Sequence, residues 1–277
     1  MNGSRLTHLA AVGSTNDWLL ARAHELPDGH WVLADRQTAG RGRRGRSWGD
    51  GAGNLMASVL VRADGAVQQL SFVAALALHA ALAAAVGSVA SAGTVHQLAV
   101  TPAKAGAHRQ TVVTGIDSRA MDPRLRGGDG LEQRIALKWP NDLLLDGVKV
   151  SGILLERSGD AIVIGFGVNL ASFPEGTERP ATSLTAAGVP VPTTTALLDA
   201  LITAFAEYRR LWSNQGFEPI RTRWLNHASG MGNRIAARLG NETLEGRFEG
   251  LEPDGALALR LDDGTLRPVH AGEVFAI

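Results

Sequence analysis

Apolar runs of different lengths divide the first 90 residues into predicted strands and helices. Residues 31–37 and 54–62 are short runs rich in Val and Leu, which predicts two buried strands. Residues 14–26 begin with the helix-capping types Ser, Thr, Asn and Asp and continue as WLLARAHEL, which predicts a short helix. The longest run, residues 69–87, is mostly alanine, contains His79 and lacks basic flanks. We therefore expect a buried core helix there rather than a membrane span.

The regular pattern stops after residue 87 and returns near residue 134. The segment between them, residues 88–133, mixes Gly, Ser, Thr and Pro with charges of both signs and has no helical or strand periodicity. A loop of this length in a compact domain is either functional or a tolerated insertion. No catalytic spacing occurs in it, so we favour an insertion, at about residues 92–131. Short apolar runs and turn residues then predict four strands, at residues 135–138, 143–145, 149–156 and 161–170.

The last third of the chain changes from helical to strand patterning. Residues 195–213 have apolar positions at helical spacing, and residues 217–227 predict a second, shorter helix. From Gly232 onward, five short apolar segments alternate with Gly-Asn and Asp-Gly turns, which predicts a small β-barrel. We accordingly expect an α+β domain over residues 1–230, which carries the insertion, and a small β-barrel domain over residues 231–277.

Composition excludes several classes of partner. Charged residues make up 19% of the chain and the formal net charge is +0, so no overall field draws the protein to nucleic acid or to an anionic membrane. The chain has no cysteine, which excludes disulfides, thiolate metal sites and a cysteine nucleophile, and which fits a cytoplasmic location. The N-terminus has too short an apolar run for a secretion signal. Any basic function must therefore be local.

One loop, GRGRRGRSW at residues 40–48, combines glycines with four arginines. Its glycines match the dinucleotide-binding pattern G-x-G-x-x-G, which requires a helix directly after the third glycine to bind the pyrophosphate. Residues 47–53 are poor helix formers, so the sequence does not favour a dinucleotide site. A P-loop sequence is also absent. The guanidinium groups repel one another until a polyanion binds, which predicts a loop that orders on its ligand. From this loop alone, a solvated basic segment, a site for RNA phosphate and a site for ATP all stay open.

Two further polar residues follow apolar strands. Lys138 precedes a tryptophan and a proline that ends its strand. It is either a surface lysine or a rigidly held cation for the negative charge that builds up when a carboxylate is activated by ATP. Asn169 is either a turn residue or a contact to nucleotide. Neither residue decides the function by itself.

Taken together, these segments resemble the biotin protein ligases. The matching blocks follow the order of that family: residues 14–16, 37–46 with Trp48, 138–142, 149–156 and 165–169. The resemblance implies a mixed or antiparallel sheet with flanking helices, of the class II synthetase-like kind, and a small C-terminal SH3-like β-barrel. It also implies an enzyme that joins biotin to ATP as biotinyl-5′-adenylate and then transfers biotin to a lysine of biotin carboxyl carrier protein.

The resemblance assigns roles to residues within these blocks. Lys138 would bridge the biotin carboxylate and the α-phosphate, and Arg41 and Arg43 would complete the catalytic set. Loop 40–48 would close over the adenylate. The residues implied for biotin, with Ser14, Thr15 and Gln37 at its ureido group, are Ser14, Thr15, Asn16, Gln37, Gly40, Arg41, Lys138 and Gly152. Those implied for ATP and the adenylate are Arg43, Arg44, Trp48, Asn141, Lys149 and Asn169.

The resemblance also bears on partners and alternatives. Mg²⁺ would accompany ATP, and the sequence does not identify its ligands. The first matching block starts at Ser14, from which we infer a ligase without a DNA-binding domain; neither DNA nor a membrane is an expected partner, and a homodimer is compatible with the sequence. A lipoate or other acyl-protein ligase is the nearest alternative, although its ligand has no ureido group. An RNA-binding module that uses loop 40–48 is the alternative from another class, against which zero net charge and few aromatic residues argue.

The predicted insertion should be dispensable. We expect deletion of residues 92–131 to leave adenylate formation intact, because the family passes almost directly from the core helix to the KWPND strand. The measurement is biotin-dependent ATP–pyrophosphate exchange. Loss of exchange in a folded deletion variant would contradict the insertion hypothesis.

Overall fold

Seven strands form the central sheet in a computed structural model that describes residues 5–46, 48, 51–63, 66–97, 130–176 and 180–277. They are β1 (Leu6–Leu9), β2 (Trp31–Ala34), β3 (Leu55–Arg62), β4 (Ile135–Lys138), β5 (Asp142–Leu145), β6 (Val148–Ser158) and β7 (Ala161–Val168). Their order across the sheet is β1-β2-β3-β7-β6-β5-β4. Strand β1 is parallel to β2, and the other neighbours are antiparallel. The predicted mixed sheet is confirmed.

The hairpin between β5 and β6 shows how local sequence directs this sheet. Asp146 and Gly147 separate the two strands, with φ angles of 50° and 81°. A two-residue turn with positive φ at both positions matches the right-handed twist of the strands, and Asp-Gly is a preferred pair for it. The hairpin predicted from this dipeptide is therefore confirmed.

Helices cover both faces of the sheet: α1 (Thr15–Ala21), α2 (Leu70–Gln97), α3 (Leu131–Arg134), α4 (Thr194–Gln215) and α5 (Glu218–Asn226). Helix α2 packs against α4 and α5, and this layer holds the main hydrophobic core. Helix α1 packs on the opposite face, where Leu19 joins a smaller core with Ala161 and Val163 of β7. Because side chains alternate along a strand, Gly165 and Gly167 of β7 lie on the same face as α1.

Helix α2 is buried, as its apolar sequence predicts. By length and composition, residues 67–91 could cross a membrane, but two thirds of the most apolar window is buried within the protein. His79 is 3% exposed, and its Nε2 lies 3.2 Å from the carbonyl oxygen of Glu132 and 3.3 Å from that of Ile135. Burial and the neighbouring His227 lower the pKa of the His79 imidazole. The prediction of a core helix is confirmed.

The same helix is longer than its apolar run. The prediction of irregular chain from residue 88 is wrong for residues 88–97, which continue α2, and for residues 131–134, which form α3. Extending an existing helix requires no new nucleus, and alanine-rich sequence favours it even where glycines interrupt. The rest of the predicted insertion, residues 98–129, lies outside the described residues.

A second sheet follows α5, with strands β8 (Arg234–Arg238), β9 (Thr243–Leu251), β10 (Leu257–Arg260), β11 (Leu266–Val269) and β12 (Glu273–Ala276). All of its pairs are antiparallel, in the order β11-β10-β9-β8-β12. The indole Nε1 of Trp139, just after β4, lies 3.3 Å from the carbonyl oxygen of Gly255 and joins the two sheets. The predicted fold class, an α+β unit followed by a small antiparallel β unit, is confirmed.

Candidate active site

A cavity of about 370 Å³ lies on the α1 face of the central sheet, between the N-terminus of α1, strands β6 and β7, and the basic loop of residues 40–48. The cavity brings together residues from distant parts of the sequence. The predicted site residues that line it are Ser14, Thr15, Asn16, Gln37, Arg41, Arg43, Trp48, Asn141, Lys149, Gly152 and Asn169.

One end of the cavity is a buried network of uncharged polar groups. The backbone N–H and the hydroxyl of Thr15 donate to Gln37 Oε1 at 2.7 and 3.0 Å. The hydroxyl of Ser58 lies 2.7 Å from Thr15 Oγ1 and 2.6 Å from Asn16 Oδ1. Ser14 caps α1, and its hydroxyl accepts a hydrogen bond from the backbone N–H of Asp17. These bonds fix polar atoms at positions where a neutral, polar ligand group can meet them.

Glycines in β6 and β7 form part of the cavity floor, and the side chains of Asn16 and Trp48 pack directly against them. A Cβ at Gly165 would collide with Asn16 Oδ1, and a Cβ at Gly167 would lie 2.5 Å from the indole ring of Trp48. A Cβ at Gly152 would lie 3.3 Å from the same ring. The absence of these side chains therefore lets Trp48 lie against the sheet.

A charged group organised around Arg41 adjoins the neutral network. The guanidinium of Arg41 donates to both carboxylate oxygens of Asp17 at 2.5 Å, and to Glu156 at 2.9 and 3.2 Å. Hydrogen bonds from Arg41 lower the pKa of the Asp17 carboxyl below its usual value, and both carboxylates raise the pKa of the guanidinium. Glu156 also accepts from Asn16 Nδ2 at 2.7 Å, which joins the charged group to the neutral network.

The other cations of the cavity also have partners. Lys149 Nζ donates to Asp142 Oδ1 at 2.6 Å, and Arg46 pairs with Glu273 of the second sheet. Arg43 Nη1 lies 3.3 Å from Asn141 Oδ1. An anionic ligand that binds Lys149 or Arg46 must therefore compete with the carboxylate of Asp142 or Glu273.

Among the predicted site residues whose side chains the structure describes, Lys138 and Gly40 do not line the cavity. Lys138 lies at the end of the edge strand β4, and its Nζ lies 5.9 Å from the ring centroid of Phe275 in β12. Gly40 lies behind the cavity wall, where its carbonyl accepts from the N–H of Trp48. Arg44 belongs to a short 3₁₀ turn of the basic loop, and its side chain is outside the described part of the chain. Of the two predicted lysines, Lys149 lines the cavity and Lys138 does not.

Three hydrogen-bond partners of the cavity residues were not predicted from the sequence. Asp17, Ser58 and Glu156 contact the predicted residues as hydrogen-bond partners, and only the fold brings them together. Asp17 and Glu156 adjoin or end matching blocks, so their positions offered a weak signal. Ser58 lies within an apolar strand and offered none.

The α+β fold thus carries a cavity in which neutral hydrogen-bonding groups lie beside arginine and lysine side chains. Residues 9–169 match the biotin/lipoate A/B protein ligase family, and residues 230–276 match the biotin protein ligase C terminal domain. The chain belongs to the biotin/lipoate A/B protein ligase family.

Relatives and solved structures agree with this membership. A biotin–[acetyl-CoA-carboxylase] ligase of Paracoccus denitrificans is 38% identical over 96% of this chain and 98% of the relative. A biotin–[acetyl-CoA-carboxylase] ligase of Mycobacterium tuberculosis is 33% identical over 98% of this chain and 88% of the relative. The structure of the Aquifex aeolicus biotin protein ligase in complex with biotin and ATP matches with a TM-score of 0.73 at 23% identity, covering 99% of this chain and all of that one, and supports the fold.

Proposed function

We propose that this protein is a biotin protein ligase that forms biotinyl-5′-adenylate from biotin and ATP and transfers biotin to a lysine of biotin carboxyl carrier protein. The observation that carries the proposal is the cavity, which combines a neutral hydrogen-bonding network with arginine and lysine side chains over a floor that contains glycines. Biotin has a neutral ureido group at one end and a carboxylate at the other. Relatives named as biotin–[acetyl-CoA-carboxylase] ligases support the same substrate.

The neutral network suits the ureido group of biotin. This group has two N–H donors and one carbonyl acceptor, so it needs fixed acceptors and donors at one site. Ser14, Thr15, Asn16 and Gln37 offer hydroxyl and amide groups there, and the bonds among them hold their side chains in place. We assign these four residues to biotin, together with Gly152 in the floor of the cavity.

We assign the activating lysine to Lys149, because it lines the cavity and Lys138 does not. In the first step, a carboxylate oxygen of biotin bonds to the α-phosphorus of ATP, and the bond from that phosphorus to the pyrophosphate oxygen breaks. Negative charge concentrates on the oxygens around the phosphorus. A preorganised ammonium group stabilises this charge best when water is excluded. Lys149 is held ready by Asp142, and Arg41 and Arg43 complete the cationic group.

The basic loop serves the second step. A mixed anhydride hydrolyses if water reaches it, so it must be covered until the carrier lysine arrives. Trp48 lies against the β6–β7 floor, and Asn141 and Asn169 line the same cavity, which places them to contact the adenylate. The neutral amine of the carrier lysine then attacks the carbonyl carbon, AMP leaves with the bonding electrons, and the amine loses a proton to solvent.

ATP requires a divalent cation, and we propose Mg²⁺. Asp142 of β5 lines the cavity, but its carboxylate is bound by Lys149, so we assign no residue as a ligand of Mg²⁺.

We propose that the protein works in the cytoplasm, because it uses ATP and has no cysteine.

The proposed function predicts pyrophosphate exchange that depends on biotin. Purified protein is incubated with ATP, Mg²⁺ and labelled pyrophosphate, with biotin or lipoate supplied separately. We expect exchange with biotin and little with lipoate, because lipoate lacks the ureido group that the neutral network binds. Exchange with lipoate alone would assign the chain to the acyl-protein ligases of the same family. RNA binding with a steep salt dependence and no exchange would favour the RNA-binding alternative.

Loss of the buried hydroxyl of Ser58 should weaken biotin binding. In Ser58→Ala, Asn16 Oδ1 loses a hydrogen-bond partner in a buried site, a loss of about 1–3 kcal/mol. We expect the KM for biotin in the exchange assay to rise at least tenfold with a smaller change in kcat. Ser88→Ala, which removes an exposed hydroxyl from α2, is the matched control. Equal KM values for Ser58→Ala and the control would contradict the role of this network.

A methyl group at Gly167 should displace Trp48. Its Cβ would lie 2.5 Å from two ring carbons, so the indole must leave the sheet. We expect Gly167→Ala to release the adenylate about 10- to 100-fold faster, since small displacements of a positioning group have effects of this size. Gly152→Ala, whose Cβ would lie 3.3 Å from the ring, should show a smaller effect. The release rate is measured by single-turnover trapping, and equal rates in the wild type and both variants would remove Trp48 from the adenylate site.

A further inference from the structure

A second group of ionisable residues lies away from the cavity, where α2, α3 and the end of α5 meet. One ring nitrogen each of His79 and His227 and a carboxylate oxygen of Glu132 lie within 4.8 Å of one another. The two imidazole rings have centroids 4.1 Å apart. His79 is buried, His227 is half-buried and Glu132 is exposed, so the group opens from the core to the surface. None of the three lines the active-site cavity.

The hydrogen bonds of His79 leave one ring nitrogen available to bind a metal. Its Nε2 faces the carbonyl oxygens of Glu132 and Ile135, which only accept hydrogen bonds, so Nε2 carries the proton. The lone pair of the neutral ring is then on Nδ1. Donation of one ring N–H to a backbone carbonyl is the usual way in which proteins orient a metal-binding histidine.

The donor set selects the class of cation. Two imidazole nitrogens and one carboxylate oxygen suit Zn²⁺ and related divalent transition metals, with water in the fourth position. Calcium and magnesium prefer sites built wholly from oxygen. Bonds of about 2.0–2.2 Å require the three donor atoms to come closer together, which needs rotation of the half-buried His227 ring as well as of the exposed Glu132 side chain.

We propose that His79, Glu132 and His227 form a binding site for Zn²⁺ or a similar transition metal, which ties α3 to α2 and α5. Helix α3 is the first described element after residues 98–129, and the residues directly after α5 pair with Leu137 of β4. The N–H of Leu137 donates to the carbonyl of His227 at 2.8 Å, and the N–H of Ser229 donates to the carbonyl of Leu137 at 2.8 Å. A metal bound at His227 would therefore restrict the movement of β4 just before the cavity residues Trp139 and Asn141.

The test is binding of Zn²⁺ and Co²⁺ to the full chain without an affinity tag, after treatment with a chelator and its removal. We expect one equivalent to bind, a rise in melting temperature, and visible absorption by Co²⁺ typical of a four-coordinate site. His227→Ala should weaken binding by at least the roughly 10- to 100-fold that loss of an outer-shell partner causes. Glu132→Gln alters an exposed side chain without changing its size, and should also weaken binding.

The control is His24→Ala, which removes an exposed histidine beside Glu25. It should bind the metal as the wild type does. Equal affinity in the wild type, His227→Ala and Glu132→Gln would overturn the site, and so would an equal loss in His24→Ala. Failure of the wild type to bind either metal would also overturn it. The measurements do not depend on biotin or ATP, so their outcome is separate from that of the proposed function.

Discussion

Lys149→Ala is expected to lower the rate of biotin-dependent pyrophosphate exchange about 100- to 1,000-fold, the usual effect of removing one preorganised group that stabilises transition-state charge. Lys149 is the lysine that lines the cavity, and its Nζ is held at 2.6 Å from Asp142 Oδ1. Removal of the ammonium also leaves the Asp142 carboxylate without its partner near an anionic substrate. The loss should therefore fall mainly on kcat, with biotin binding at the neutral end largely kept.

Lys138→Ala is the matched control for this prediction. It removes the same charge from the same sheet, but from the edge strand β4 and from a position above Phe275. We expect its exchange rate to fall less than tenfold. If Lys138→Ala lost exchange while Lys149→Ala kept it, the sequence-based assignment would be right and the assignment from the cavity wrong.

Arg41→Ala is expected to release the adenylate about tenfold faster, which corresponds to ~1.4 kcal/mol, about the net contribution of one charge-assisted hydrogen bond, because the Arg41 side chain is 33% and the Asp17 side chain 53% exposed. Arg41 holds Asp17 and Glu156 together through four hydrogen bonds. Without the guanidinium, two carboxylates face the anionic end of the ligand. The rate of adenylate formation and the fraction of adenylate that stays bound should both decrease.

The measurement is a single-turnover partition of labelled adenylate between bound and released fractions. Arg157→Ala is the control, because it removes an exposed arginine next to Glu156 in β6. It should leave the partition unchanged. An unchanged partition in Arg41→Ala would show that the basic loop does not hold the intermediate through this residue.

The site could be predicted in large part because its residues lie in short blocks whose local structure is strongly determined. The Asp146–Gly147 turn allows one kind of hairpin, and this turn sets which residues of β5 and β6 face each other. Ser14 caps α1 by its own side chain. Most residues of the neutral network, Ser58 excepted, and Trp48 of the basic loop were therefore named from the sequence, and the structure brings them to one cavity.

The choice between Lys138 and Lys149 could not be made in that way. Both lysines lie in blocks of the resemblance and both are on strands, so only the order of strands distinguishes them. Strand β4 is at the edge of the sheet, and β6 lies next to β7 under the cavity. A register shift between Leu143 and Leu144 further changes how β5 meets β6. The order and register of strands that are distant in the sequence cannot be predicted from the local pattern of apolar and polar residues.

The sequence analysis also did not predict two elements that neighbouring structure stabilises, β1 and the C-terminal part of α2. The four residues of β1 have no strong pattern of their own and gain their structure by parallel pairing with β2. Residues 88–97 include one glycine and two serines, which favour a loop in isolation, yet they continue α2. In both cases tertiary contacts or an adjoining helix override weak local preference.

The most direct test of the central claim is transfer of biotin from the enzyme-bound adenylate to a purified biotin carboxyl carrier domain. Adenylate is formed in a single turnover, excess ATP is removed, and the carrier domain is added with a Lys→Arg variant of its acceptor as control. The account predicts one biotin on the acceptor lysine, located by mass spectrometry, and none on the Lys→Arg variant. Adenylate that forms but is only hydrolysed, or that labels both proteins equally, would contradict it.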